Sequence, residues 1–268
     1  MIDILELSNK VKDEGYSEEQ AEAKLCQDII LLLLSKSRFK NNITIKGGVV
    51  MRSLSKDARR ATLDLDLDLI HFPLINKGIK EIITALNNID GIKIRIVKPI
   101  EKLKHQDYDG KRAYVEINES FGNSLTSKID IGVHKYIEIE QAEYCFDIAA
   151  SDEGASLLIN TKEQIFVEKL KSLLKFGPLS TRFKDIYDMY YLSKTINTVK
   201  LNKCVETFIF NDPKLKVKNA NDISKSLEQT FKNPAYIINL NNSNKNWVGI
   251  SNEKAFNTII NTIKKIEK

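Results

Sequence analysis

Residues 63–70, LDLDLDLI, alternate apolar and acidic positions without interruption. Successive strand side chains point to opposite faces. The pattern therefore predicts a β-strand with Leu63, Leu65, Leu67 and Leu69 on one face and Asp64, Asp66 and Asp68 on the other. Stretches 43–46 (ITIK), 92–97 (IKIRIV), 112–118 (RAYVEIN) and 127–133 (SKIDIGV) also read as strands, with a turn at 107–110 (DYDG) ahead of the third. Residues 17–37 read as a helix, opened by Ser17 and Gln20 as a capping box and carrying the apolar run Ile29 to Leu34. Shorter helices are predicted at 49–55 and 77–90. Beyond residue 155 the pattern is helical throughout, at 162–175, 182–195, 200–210, 222–232 and 252–267. Strands and helices followed by helices alone predict an α+β protein: a mixed sheet flanked by helices over residues 1–155, then a helical domain over 156–268. No repeat and no Gly/Ser linker is visible, so the two domains are expected to pack tightly, with the active site in the cleft between them.

Composition narrows the class. Of 268 residues, 42% are hydrophobic and 29% charged, enough to bury a core. Five prolines and 11 glycines exclude a disordered or collagenous chain. Cys26, Cys145 and Cys204 are too few and too scattered for a disulfide framework or a zinc knuckle. The longest apolar run cannot span a bilayer. The first 20 residues are acidic and amphipathic, unlike a signal peptide, so a reducing cytoplasmic setting is expected, with no membrane partner. The net charge of +5 is unevenly spread: from Lys194 to Lys268 there are 13 lysines against 6 acidic residues, +7, leaving −2 elsewhere. A basic tail on an acidic body permits a polyanionic partner, although a solvated Lys/Asn-rich surface has the same composition.

Two features carry chemistry. Three carboxylates on one strand face stand roughly 7 Å apart and repel one another. A divalent cation such as Mg²⁺ or Mn²⁺, which prefers hard oxygen ligands, relieves that repulsion. A solvent-facing edge strand is the plainer alternative, but aspartate is poorly suited to strands. The second feature is Gly47-Gly48, between a β-like tetrapeptide and a helix-like stretch. Glycine lets backbone approach a phosphate, and a helix N-terminus presents free N–H groups. Lys46 and Arg52 add positive charge nearby, though a tight strand-to-helix turn would need the same glycines.

The stretch IKGGVVMRSLSKDARRATLDLDLDL resembles the nucleotidyltransferase superfamily: a glycine-led turn, a short helix and a strand bearing Asp-x-Asp. KGG followed by Arg60-Ala61-Thr62-Leu63-Asp64-Leu65-Asp66 is similar, more narrowly, to the AbiEii/AbiGii toxin family of nucleotidyltransferases. The later segments EQIFVEKLKSLLKFG (163–177) and RFKDIYDMYYL (182–192) match that family's lysine-bearing helix and its Asp-x-Tyr-Asp helix. Val49-Val50 follow the glycines where the family more often has Thr or Ser.

The resemblance implies transfer of a nucleoside monophosphate from an NTP to an acceptor hydroxyl. It implies that Asp64, Asp66 and a third carboxylate hold the metal, and that Lys46, Gly47, Gly48, Arg60, Thr62, Lys169 and Arg182 contact the nucleotide. Lys169 and Asp185 then join the catalytic set. RNA or tRNA as acceptor, a toxin–antitoxin or phage-defence role and a cognate antitoxin rest on the resemblance alone. The alternatives are a non-catalytic nucleic-acid- or partner-binding protein on a degraded transferase scaffold and an enzyme that modifies protein.

Residue patterns bear on the remaining positions. On a helical wheel Lys169 lies about 40° from Ile165, inside the apolar arc, and so either meets an anion or snorkels outward. Arg182 and Asp185, three apart, could pair with each other, while Asp188 falls away from the apolar face and reads as a cap or surface residue. Asp130, sharing a strand face with Lys128 and Gly132, is the leading third carboxylate; Glu116 competes, and Asp68 could also join the metal. His71, His105 and His134 are isolated. No G-x-S-x-G, Walker A or G-x-G-x-x-G motif occurs.

Overall fold

The computed structural model describes residues 2–87, 89–103 and 110–266; residues 107–109 of the expected DYDG turn and His105 lie outside them. Backbone contacts divide the chain into two units, residues 1–160 and 161–268.

The first unit holds a mixed sheet. Its strands are β1 (Ile43–Lys46), β2 (Leu65–Leu69), β3 (Lys93–Ile96), β4 (Glu101–Lys102), β5 (Lys111–Asn118), β6 (Ser124–Val133), β7 (Ala142–Ile148) and β8 (Ser151–Ile159). Their order is β3-β5-β6-β2-β1-β8-β7, with β4 pairing β5. The pairs β2–β6 and β1–β8 are parallel and the others antiparallel. Among the described residues the helices α1 (Ile4–Asp13), α2 (Glu18–Lys36), α3 (Gly47–Ser55) and α4 (Asn76–Ala85) accompany it. Ser17 and Gln20 form the expected capping box on α2. On one sheet face Leu67, Ile129 and Ile131 pack against Ile30 and Leu34 of α2 and Ile79, Ile82 and Ile83 of α4. The leucine face of the alternating strand is therefore the core face, and the aspartates project from the other.

Local chemistry moves some boundaries. The alternating strand starts at Leu65, because Leu63 is exposed and precedes the ladder. Helix α4 stops at Ala85 rather than residue 90. The Asn87 side chain both accepts from Ile94 N–H (2.9 Å) and donates to Ile94 C=O (2.9 Å), so the chain is committed to β3 by that point. Strands β7 and β8 carry no clear alternation at their turn. At Gly154, φ is +73° and a Cβ would lie 2.6 Å from the Phe146 carbonyl oxygen, so the hairpin is irregular where the sequence is least strand-like.

The second unit is helical: α5 (Lys162–Phe176), α6 (Phe183–Ser193), α7 (Thr198–Val205), α8 (Ala220–Phe231), α9 (Pro234–Asn242) and α10 (Asn252–Ile263). The helix expected at 200–210 is α7 followed by a π-helical turn, Glu206–Phe210. The sequence pattern missed α9: its asparagines blur the periodicity, although Asn233 caps it and Pro234 occupies its first turn. Among the described residues no helix is long and apolar enough to cross a membrane.

Candidate active site

The glycine turn and the acidic strand meet side by side. Lys46 ends β1 and Gly47 begins α3 with φ +66°, a left-handed conformation that favours glycine. A Cβ at Gly47 would lie 2.5 Å from Asp66 Oδ2, and one at Gly48 would lie 2.5 Å from Thr62 Oγ1. Both glycines are thus required by close approach to the segment bearing the aspartates. The backbone at the start of α3 lies against the Asp66 carboxylate.

Strand register then builds a row of charge. Lys46 is level with Asp66, Asp66 with Asp130, and Asp130 with Arg112, so four adjacent strands present plus, minus, minus, plus on one face. Neighbouring strands are about 4.8 Å apart, which brings Asp66 and Asp130 close together. Arg112 grips Asp130 through two bonds, Nε to Oδ1 at 2.6 Å and Nη2 to Oδ2 at 2.7 Å. Lys128 lies 2.7 Å from Asp64, and Lys46 lies 2.6 Å from Asp68. Burial, reinforced by repulsion from Asp130, Asp64 and Asp68 and partly offset by Lys46, pushes the half-buried Asp66 carboxyl up to about 6. Among the described residues no three carboxylate, histidine or cysteine side chains gather in a metal-binding group.

Other expected positions fall elsewhere. Glu116 is bound to Arg95 at 2.7 Å, and it faces Thr126 rather than Asp130 across the β5–β6 ladder. Hydrogen bonding to Arg95 lowers its pKa below the usual carboxylate range. Arg52 is buried and turned to α2, donating to Gln27 at 2.5 Å and Asp28 at 3.2 Å, so its charge is spent inside the unit. Arg60, at the end of the single turn Ala58–Arg60, is 3% exposed.

In the helical unit Lys169 points inward and meets anions, as its wheel position allows. Its Nζ lies 2.5 Å from Asp185 and 2.9 Å from Asp188. The Arg182–Asp185 pair does not form: Lys169 engages Asp185, and Arg182 is exposed. Asp188 is completely buried, contrary to the surface role read from the wheel, and it accepts a hydrogen bond from Trp247 Nε1 at 3.0 Å. Trp247 lies 59 residues away, beyond the reach of any wheel.

Sequence reasoning missed Arg112. Its outward position in RAYVEIN was legible, but its pairing with Asp130 depends on the β5–β6 register. It also missed the polar face of α2 (Lys24, Gln27 and Asp28), which lies buried among leucines and isoleucines.

A glycine-led helix beside an Asp-x-Asp strand of a mixed sheet is the arrangement of a nucleotidyltransferase-like fold. Residues 29–243 match the family described as "Nucleotidyl transferase AbiEii toxin, Type IV TA system", and the chain belongs to that family. The fold is also that of the solved structure of JHP933 from Helicobacter pylori, at 17% identity over 94% of this chain and 93% of that one, with a TM-score of 0.51. An antigenic nucleotidyltransferase-like protein from Paracoccidioides brasiliensis is similar at 17% identity, covering 82% and 92% of the two chains, with a TM-score of 0.48. No curated protein matches the chain.

Proposed function

We propose that this member of the nucleotidyl transferase toxin family moves a nucleoside monophosphate from an NTP to a hydroxyl of RNA, and that a cognate antitoxin restrains it. The observation that carries the reading is the contact of Gly47 with Asp66. It sets backbone N–H groups, suited to phosphate, beside a carboxylate suited to a cation. The Asp64 and Asp66 oxygens form a hard donor set, and a cation would relieve the repulsion on Asp66 from its three neighbouring carboxylates. Asp64 and Asp66 would hold Mg²⁺ or Mn²⁺, with Asp130 as the third ligand; when bound, the ion neutralises the triphosphate and polarises the attacked phosphorus.

The chain's own groups do the rest. Gly47 and Gly48 let the triphosphate approach the start of α3. Lys46 and Arg60 supply positive charge near the transferred phosphoryl group, and Thr62 offers a hydroxyl. Arg112 orients Asp130 by a bidentate grip that leaves about half of the carboxylate's acceptor sites for other partners. On the family pattern Lys169 and Arg182 are assigned to nucleotide binding, and Lys169 and Asp185 to the catalytic set.

Charge supports RNA as acceptor. Residues 161–268 hold 19 basic and 10 acidic residues, +9, against −4 for residues 1–160. In segment 214–218 the buried Leu215 and Val217 alternate with exposed Lys214, Lys216 and Lys218. The three exposed lysines therefore concentrate positive charge on the solvent side of this segment, as a polyanion requires.

Calorimetric titration of each NTP with Mg²⁺ tests the nucleotide site. Saturable binding to the wild type that is lost in D64A/D66A is expected; equal heats from both proteins would overturn it.

A further inference from the structure

We propose that Gln27 is a positioning residue that registers the glycine turn against the acidic strand. The inference rests on the nucleotidyltransferase reading for its functional consequence and on geometry alone for its structural one. Gln27 is fully buried on α2. Its Nε2 donates to the carbonyl oxygens of Thr62 (3.0 Å) and Asp64 (3.4 Å), and its Oε1 accepts from Arg52 Nη1 (2.5 Å). Both donor hydrogens and the acceptor of the amide are thereby used.

These partners belong to the two halves of the candidate site. The carbonyls of Thr62 and Asp64 lie ahead of the ladder, which begins at Leu65, so strand pairing does not hold them. Arg52 lies on α3 four residues after Gly48 and therefore on the same helix face. Gly48 in turn lies against Thr62. The contacts close a circuit: Gly48, along α3 to Arg52, across to Gln27, to the Thr62 carbonyl, and back to Gly48. A second tie supports it. Asp28, next to Gln27, receives Arg52 Nη2 (3.2 Å), Lys24 Nζ (2.6 Å) and the Ala149 backbone N–H (3.0 Å). Asp28 anchors the guanidinium to α2 and to the β7–β8 hairpin, whereas Gln27 reaches from Arg52 to the aspartate segment. Without Gln27, α3 and the segment 62–64 would keep the direct contact of Gly48 with Thr62 but lose the hydrogen-bonded link through Arg52 that fixes the carbonyls of Thr62 and Asp64.

The test combines hydrogen exchange with NTP calorimetry on the full chain, using Q27M, Q27E, R52M and Q27M/R52M. Q27M retains volume without hydrogen bonds. Q27E keeps the acceptor for Arg52 but loses the donor to the two carbonyls. Both are expected to speed amide exchange at least tenfold in peptides covering 47–50 and 62–65 while sparing β7–β8, and to weaken NTP binding at least tenfold. In peptides 47–50 and 62–65 the effects of Q27M and R52M should be less than additive in Q27M/R52M, because one hydrogen bond joins the two residues, even though R52M also removes the tie to Asp28. Exchange that rises evenly across residues 1–160, that stays unchanged, or that adds in the double variant would overturn the proposal. If the wild type binds no NTP, the functional reading fails, and the exchange pattern still decides the role of Gln27. Should one variant fail to fold, the other carries the same comparison.

Discussion

Asp66 and Asp130 face each other across the parallel β2–β6 ladder, flanked in the same row by Lys46 and Arg112. Arg112 holds Asp130 through both oxygens, while burial and like charge push Asp66 up to about 6. The native fold thus retains a proton on Asp66 that the unfolded chain releases near pH 3.8. With a raised folded value, the stability linked to the group is complete below the unfolded value and is lost as pH rises through about 6. The loss amounts to roughly 3 kcal/mol across that window. Denaturation of the metal-free protein at pH 4 to 8 should show this decline, and D66N should flatten it. An equal pH dependence in D66N would contradict the assignment.

The glycines make a steric prediction. G47A places a methyl group against Asp66 Oδ2 in a left-handed backbone, and G48A places one against Thr62. Each should cost about 1–3 kcal/mol in urea unfolding. Pairing G48A with T62G removes the Thr62 side chain and should recover part of the loss. The same change cannot help G47A, whose obstacle is Asp66.

Lys169 separates a structural from a catalytic role. K169M would remove the Lys169 ammonium from Asp188, which is buried and accepts from the Trp247 indole N–H. That should destabilise the helical unit by about 3–5 kcal/mol. Adding D188N should restore much of it, as measured by denaturant midpoints. If K169M is as stable as the wild type, the ion pairs of Lys169 do not hold the helical unit together.

The lysine row at 214–218 predicts salt-dependent binding of single-stranded RNA. K214Q/K216Q/K218Q should weaken binding in anisotropy titrations. It should also lower the slope of log affinity against log salt by roughly 2, at about 0.7 per lost phosphate contact. D64A/D66A should leave the slope unchanged. An unaltered slope in the lysine variant would remove this segment from the acceptor surface.

Much of the fold was legible in local patterns. The alternation at 63–70 identified the sheet face that carries the carboxylates, and Ser17 and Gln20 marked the start of α2. Register and distant contact were not legible. Nothing near Asp130 in sequence indicates that Arg112 stands opposite it, because that depends on how β5 and β6 align. Nothing in RFKDIYD reveals that Asp188 is buried under Trp247. Arg52 stands beside the motif as charge suited to a nucleotide, yet it turns into the core to meet Gln27 and Asp28, and Lys46 shares its charge with Asp68. A basic residue beside a motif gives charge without direction, and direction here is set by carboxylates on other elements.

The most direct test of the account is transfer itself. Wild type and D64A/D66A are incubated with Mg²⁺ and each NTP labelled at the α-phosphate, together with total RNA or total protein as acceptor. The account predicts label in RNA with the wild type and none with the double variant. Label in protein, or in neither pool, would contradict it.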